Sequence, residues 1–177
     1  SLVKTQFGKK VKIIRSDNGL EFKSKSIREF YEHCGIIHQT SCVHTPQQNG
    51  RVERKCKHLL NVARALRLHA NLPLKFWGEC VRTAAYLINR TPSKLLEGKT
   101  PYELVYGNKP DYDFIKVFGC LCFAQTRSGD KFASKSRKCI FVGYPFGKKS
   151  WKLYDLAKHE IFESRDVKFY EENLPFK

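Results

Sequence analysis

The amino-terminal half of this chain is patterned for helices interrupted by two short strands, and its carboxy-terminal third for strands alone. Val11-Lys12-Ile13-Ile14-Arg15 is an apolar run that predicts a strand, and Ile36-Ile37-His38-Gln39-Thr40 predicts another. Between them, Ile27, Phe30, Tyr31 and Cys34 fall at helical spacing after a capping Ser24 or Ser26, and Gly35 stops the helix. Strand, helix, strand in that order suits a parallel α/β sheet. Ser41 to Gly50 reads as a loop, and a long helix runs from about Gln48 to His69. Val52, Cys56, Leu59, Ala63, Leu66 and Ala70 make its apolar stripe, expected to be buried. Pro73 opens a second helix, Leu74 to Asn89, whose apolar face (Phe76, Trp77, Cys80, Ala84, Leu87, Ile88) suits a core or a subunit interface.

Beyond Thr91-Pro92 the period changes. Thr100-Pro101-Tyr102-Glu103 predicts a capped short helix closed by Gly107. Five short aromatic-rich runs then follow between turn residues: 117–123, 138–144, 150–155, 159–162 and 166–169. They predict a small barrel. The expected organisation is therefore residues 1–92, a connector over 93–113, and a β domain over 114–177.

Charge narrows the partners. The chain carries 33 Lys and Arg against 17 Asp and Glu, a net +16, with 41% hydrophobic and 13% aromatic residues, which argues against disorder. Residues 1–90 hold 17 basic and 6 acidic groups, the connector 3 and 4, and residues 114–177 hold 13 and 7. The excess sits on both folded regions, and a polyanion is the expected partner. No apolar run has the roughly 18 residues of a membrane span. Seven cysteines carry no Cys-x-x-Cys, and His38, Cys42 and His44 lack a second ligand pair at zinc-finger spacing. No structural zinc is expected. Cys34, Cys56, Cys80, Cys120, Cys122 and Cys139 lie in apolar surroundings and are expected to be buried free thiols in a reducing, intracellular compartment.

Asp17, at the end of the first strand, and Glu53, early in the long helix, are separated by 35 residues. Carboxylates brought together from a strand end and a helix suit hard divalent cations, which take oxygen ligands. The alternative is an N-cap aspartate and an unrelated surface glutamate, the latter paired with Lys57 at i, i+4.

The flanking residues bear on that choice. Ile14-Arg15-Ser16-Asp17-Asn18-Gly19-Leu20-Glu21-Phe22 and Thr45-Pro46-Gln47-Gln48-Asn49-Gly50-Arg51-Val52-Glu53-Arg54 resemble the integrase of copia-type retrotransposons. The resemblance continues through Tyr86-Leu87-Ile88-Asn89-Arg90-Thr91-Pro92, Gly98-Lys99-Thr100-Pro101-Tyr102-Glu103, Val117-Phe118-Gly119-Cys120 and Cys139-Ile140-Phe141-Val142-Gly143-Tyr144. It implies part of a ribonuclease-H-like catalytic core lacking its first strands, followed by an SH3-like barrel. It also implies DNA, at element ends and target, as partner, with self-association through the core helices.

In that family an Asp, Asp, Glu triad holds two Mg²⁺ (or Mn²⁺) ions, which clamp a phosphodiester for in-line displacement. Asp17 matches the second acid and Glu53 the third. Residues 1–16 contain no Asp or Glu, so metal binding is expected only with the first aspartate supplied, and the chain alone is expected to be inert. By the same resemblance Asn49 and Lys57 shape the site or contact DNA ends, with Arg51, Arg54 and Lys55 on phosphates. Lys148, Lys149 and Lys152 surround Trp151, which either stacks on a base or packs in the barrel. The expected compartment is the nucleus or a cytoplasmic particle. A second expectation is a non-enzymatic remnant that binds nucleic acid or protein.

Overall fold

The computed structural model describes residues 2–42, 46–125 and 134–177. Two compact units divide at Cys56 and Lys57. The sequence boundaries expected at 92 and 113 both fall inside the second unit.

The first unit begins with helix α1 (Leu2–Phe7) and strand β1 (Ile13–Ser16), then helix α2 (Lys25–Cys34) and strand β2 (Ile37–Thr40). The strands are parallel, with Ile13 opposite Ile37 and Ser16 opposite Thr40. Gly35 ends α2 in the left-handed conformation at φ 64°, which only a residue without Cβ adopts freely, and its N–H caps the Glu32 carbonyl. α2 covers one face of the strand pair. Its Tyr31 is buried, with its ring centroid 5.2 Å from that of His38 on β2. The other face carries Ile13 and Ile37, both more than half exposed.

Helix α3 (Gly50–His69) starts in the first unit and ends in the second, with a 3₁₀ turn at Pro46–Asn49 before it. Its apolar stripe is only half covered. Ala63 and Ala70 are buried, whereas Val52 and Cys56 are exposed. The reason is local: the second unit's core reaches only the carboxy-terminal turns of α3.

In the second unit a 3₁₀ turn at Leu74–Phe76 leads into α4 (Trp77–Ile88). Phe76, Cys80 and Ala84 are buried, while Trp77 is 62% exposed. α5 (Pro101–Tyr106) carries the expected capping box: Thr100 Oγ1 accepts from Glu103 N at 3.0 Å, and Thr100 N donates to Glu103 Oε2 at 2.6 Å.

Five antiparallel strands follow: β3 (Leu121–Gln125), β4 (Ser136–Gly143), β5 (Trp151–Asp155), β6 (Ile161–Ser164) and β7 (Val167–Tyr170), in the order β6-β5-β4-β3-β7. β4 is buried on both faces, which accounts for its unbroken apolar run. Ile140 and Val142 face a core shared with Ala70, Leu72, Phe76, Cys80 and Ala84 from the helices. Cys139 and Phe141 face a second core with Cys120, Cys122, Ala124 and Leu153. Each fully buried aliphatic side chain contributes about 1.5–3 kcal/mol. The helical and β segments are thus welded into one unit by a common apolar layer. Trp151 belongs to this packing. Its ring stacks on Phe114 at 4.7 Å and its Nε1 donates to the Phe114 carbonyl at 3.2 Å.

Two expectations about thiols are corrected. Cys34 and Cys56 are exposed, along with Cys42, whereas Cys80, Cys120, Cys122 and Cys139 are buried and free. Cys34 and Cys56 lie on helix positions that nothing covers, since α2 buries only Tyr31 and α3 buries only Ala63.

Candidate functional site

β1 delivers Ser16 and Asp17 at its carboxy-terminal end. Ser16 is buried and donates to the Asp17 carbonyl at 2.9 Å, so His38 Nε2, 2.8 Å from the same hydroxyl, acts as its donor. Asn18 Nδ2 donates to the Ser41 carbonyl at 2.8 Å, tying the end of β1 to the end of β2. The Asp17 carboxylate stands exposed in a short turn, Oδ1 accepting from Gly19 N at 3.0 Å.

Glu53 lies in the first turn of α3, where the helix dipole favours a carboxylate, and it is exposed. No hydrogen bond or ion pair engages it among the described residues, and the i, i+4 pair with Lys57 does not form. Around it stand Arg51, Arg54, Lys55 and Lys57, all exposed and none of them in an ion pair among the described residues; Asn49 is half-buried just before the helix. Four cations within seven residues, with a single acid among them, leave the start of α3 strongly positive.

The lysines of the β domain differ. Lys152 Nζ is 2.9 Å from Glu79 Oε2 and Lys148 Nζ is 2.6 Å from Glu163 Oε2, so both are committed to internal carboxylates. Lys149 is exposed and has no ion pair among the described residues. No periodicity in the sequence connects Lys152 to an acid 73 positions away.

Asp17 and Glu53 have the hard oxygen donors a divalent cation takes. Both belong to the first unit. Among the described residues, however, no group of three or more His, Cys, Asp or Glu is placed to hold a metal ion. Two carboxylates fall short of a complete ligand set. His44 lies outside the described residues.

Comparison with known proteins places this geometry. The profile of the retroviral polymerase SH3-like domain matches residues 120–177, the segment that holds all five antiparallel strands. The Retrovirus-related Pol polyprotein from transposon TNT 1-94 of Nicotiana tabacum is 41% identical over 98% of the chain, and that from transposon RE1 of Arabidopsis thaliana is 36% identical over 99%. The chain is homologous to a segment of copia-type retrotransposon Pol polyproteins. It spans only 13% and 12% of the length of those two curated relatives. The chain also aligns in part with the HTLV-2 integrase catalytic core, solved in complex with magnesium. That alignment has 26% identity and a TM-score of 0.45, over 59% of this chain and 63% of the other. The BIV integrase catalytic core aligns at 26% identity with a TM-score of 0.42, over 55% and 60% respectively.

Arg15 stands within the motif around Asp17. It shares the open face of the strand pair with Ile13, two residues away, as the alternation of strand side chains requires. No helix in the described residues is long and apolar enough to cross a membrane.

Proposed function

We propose that this chain is the integrase segment of a retrotransposon Pol polyprotein: a nucleic-acid-binding part of a ribonuclease-H-like core joined to an SH3-like domain. The observation that carries the proposal is the first part of α3, where Arg51, Arg54, Lys55 and Lys57 are exposed without ionic partners among the described residues. Such cations release counterions on meeting phosphates, whereas Lys148 and Lys152 must first leave Glu163 and Glu79. Lys149 and Asn49 supply further contacts. Asp17 and Glu53 act as two carboxylates of a Mg²⁺ or Mn²⁺ site. When bound, that metal pair supplies charge stabilisation to phosphodiester transfer in DNA integration. Free thiols fit a reducing interior, the nucleus or a cytoplasmic particle.

The test is DNA affinity of the 177-residue chain against salt. Four phosphate contacts predict a slope of log K on log salt of about −3 to −4, and about a hundredfold loss between 50 and 200 mM. Changing Arg51, Arg54, Lys55 and Lys57 together to Gln should flatten it. A slope already near zero in the unaltered chain overturns the proposal.

The exposure of both Asp17 and Glu53 as surface carboxylates favours a second reading, a non-enzymatic binding remnant. Affinity blind to Mg²⁺, Asp17→Asn and Glu53→Gln supports that reading. Mg²⁺-dependent affinity abolished by either substitution supports the metal site.

A further inference from the structure

The hairpin loop between β4 and β5, residues 144–150, is pinned at both ends and open at its tip. At one end the Tyr144 ring stacks on Tyr86 of α4 at 3.7 Å, and its hydroxyl accepts from the Lys116 backbone N–H at 3.1 Å. At the other end Trp151 stacks on Phe114, so the aromatic that the sequence offered as a base-stacking candidate is engaged in packing. Between these anchors Gly147 takes φ +70° with open space where a Cβ would stand, so the glycine serves the turn and not a close contact. The turn leaves Phe146 88% exposed, whereas Trp77, the next most exposed aromatic among the described residues, is 62% exposed. The loop contains no acid. Lys149 is exposed without an ion pair among the described residues, and Lys148 meets Glu163 only at the surface, where such pairs contribute little.

We infer that Phe146 stacks on an unpaired base of single-stranded nucleic acid while Lys149 and Lys148 meet the flanking phosphates. A ring standing in water beside cations suits a ligand that offers a flat π face and an anion in every unit, and base–aromatic stacking tolerates any base. In a closed duplex the base faces are covered by their neighbours, so the ring finds a partner only where bases are unpaired or unstacked. An anionic membrane also takes an aromatic beside lysines, but interfacial binding scales with buried apolar area. The residues that follow Phe146 in the loop are Gly147, Lys148, Lys149 and Ser150, which add almost none. The inference rests on the proposed function for the class of ligand and adds to it a contact that is not ionic.

The experiment measures binding of the 177-residue chain to a single-stranded oligonucleotide and to a closed duplex of the same length across a salt series. Phe146→Ala should weaken single-strand binding about tenfold, the usual effect of removing one base–aromatic stack, and change duplex binding by less than about twofold. The slope of log K on log salt should stay as it was, because the ring releases no counterions. Phe146→Trp should bind at least as tightly as the unaltered chain, and Phe146→Leu, apolar without a π face, should bind like the alanine variant. Phe146 is exposed at a loop tip, so these variants are expected to melt like the unaltered chain. Should one unfold, a single-stranded oligonucleotide carrying iodouracil still tests the unaltered chain, where it should photocross-link to Phe146. Single-strand binding indifferent to Phe146→Ala, Phe146→Leu binding as well as the unaltered chain, or cross-links that spare the loop overturns the inference. Loss of binding to anionic lipid vesicles in Phe146→Ala with DNA affinity unchanged also overturns it and assigns the loop to a membrane surface. Binding to neither oligonucleotide sinks the proposed function together with the inference; DNA binding blind to Phe146 sinks the inference alone.

Discussion

Lys152 Nζ lies 2.9 Å from Glu79 Oε2, joining β5 to α4 through side chains that are only 17% and 11% exposed. Glu79 is also held by Arg82 at 2.6 Å, so the carboxylate keeps one partner when the lysine is removed, whereas the lysine keeps none when Glu79 is removed. Breaking a largely buried pair leaves an uncompensated charge, which costs more than the pair contributes. Glu79→Ala is therefore expected to destabilise by about 2–4 kcal/mol and Lys152→Ala by about 1–2 kcal/mol. A Glu79→Leu/Lys152→Leu double variant should cost less than Glu79→Ala alone. Denaturant melts of the three proteins test this order; equal losses would contradict it.

Gly119 packs the start of β3 against the end of α3. Its φ is +82°, its N–H donates to the Phe141 carbonyl at 2.8 Å, and an added Cβ would overlap the Ala70 methyl. Gly119→Ala is expected to lose about 2–4 kcal/mol, from left-handed strain and overpacking together. Ala70→Gly in the same chain should recover the steric part and leave the strain. Thermal melts of the single and double variants separate the two contributions.

Thiol chemistry should divide the cysteines into two classes. Cys34, Cys42 and Cys56 are exposed and should react with a thiol reagent in the native protein within its mixing and reaction time. Burial pushes the Cys80 and Cys139 thiols up to about 11 and Cys120 to about 12, and raises Cys122 as well. These four should label only on unfolding, and a native-state count above three would contradict the packing of the β domain.

Asp155 gives the acid limb of stability a definite sign. Its carboxyl lies below the ordinary 3.8, chiefly because it accepts the Lys158 backbone N–H, and with it that of Ala157, with Arg137 adding attraction against the opposing effect of burial. A carboxylate depressed in the folded state stabilises fully above its unfolded value, and that contribution is lost as pH falls through the folded one. Asp155→Asn should lower the melting temperature at neutral pH and make it less steeply pH-dependent below about pH 4. Parallel melting curves for both proteins across the acid range would refute the assignment.

Local order was legible in the residues themselves. The Thr100–Glu103 capping box, the Gly35 stop and the short strands of the final third depend on neighbours three or four positions apart, or on alternation within one strand. The motif around Asp17 and the one around Glu53 were legible for the same reason: each is a contiguous string. Which part of the α3 stripe is buried was not, because Val52 and Ala63 are equally apolar in the sequence and differ only in what folds against them. The roles of the lysines were hidden likewise. Lys152 finds Glu79 across 73 positions, while Arg51, Arg54, Lys55 and Lys57 find no acid among the described residues.

The sequence by itself determined the elements, the two carboxylates and the positive balance, since backbone hydrogen bonding within helices and turns is set by adjacent residues. Only the tertiary structure decided which cations stay available and which thiols are sealed. Those outcomes depend on distances between residues remote along the chain, and burial, the term that governs them, exists only once the chain has packed.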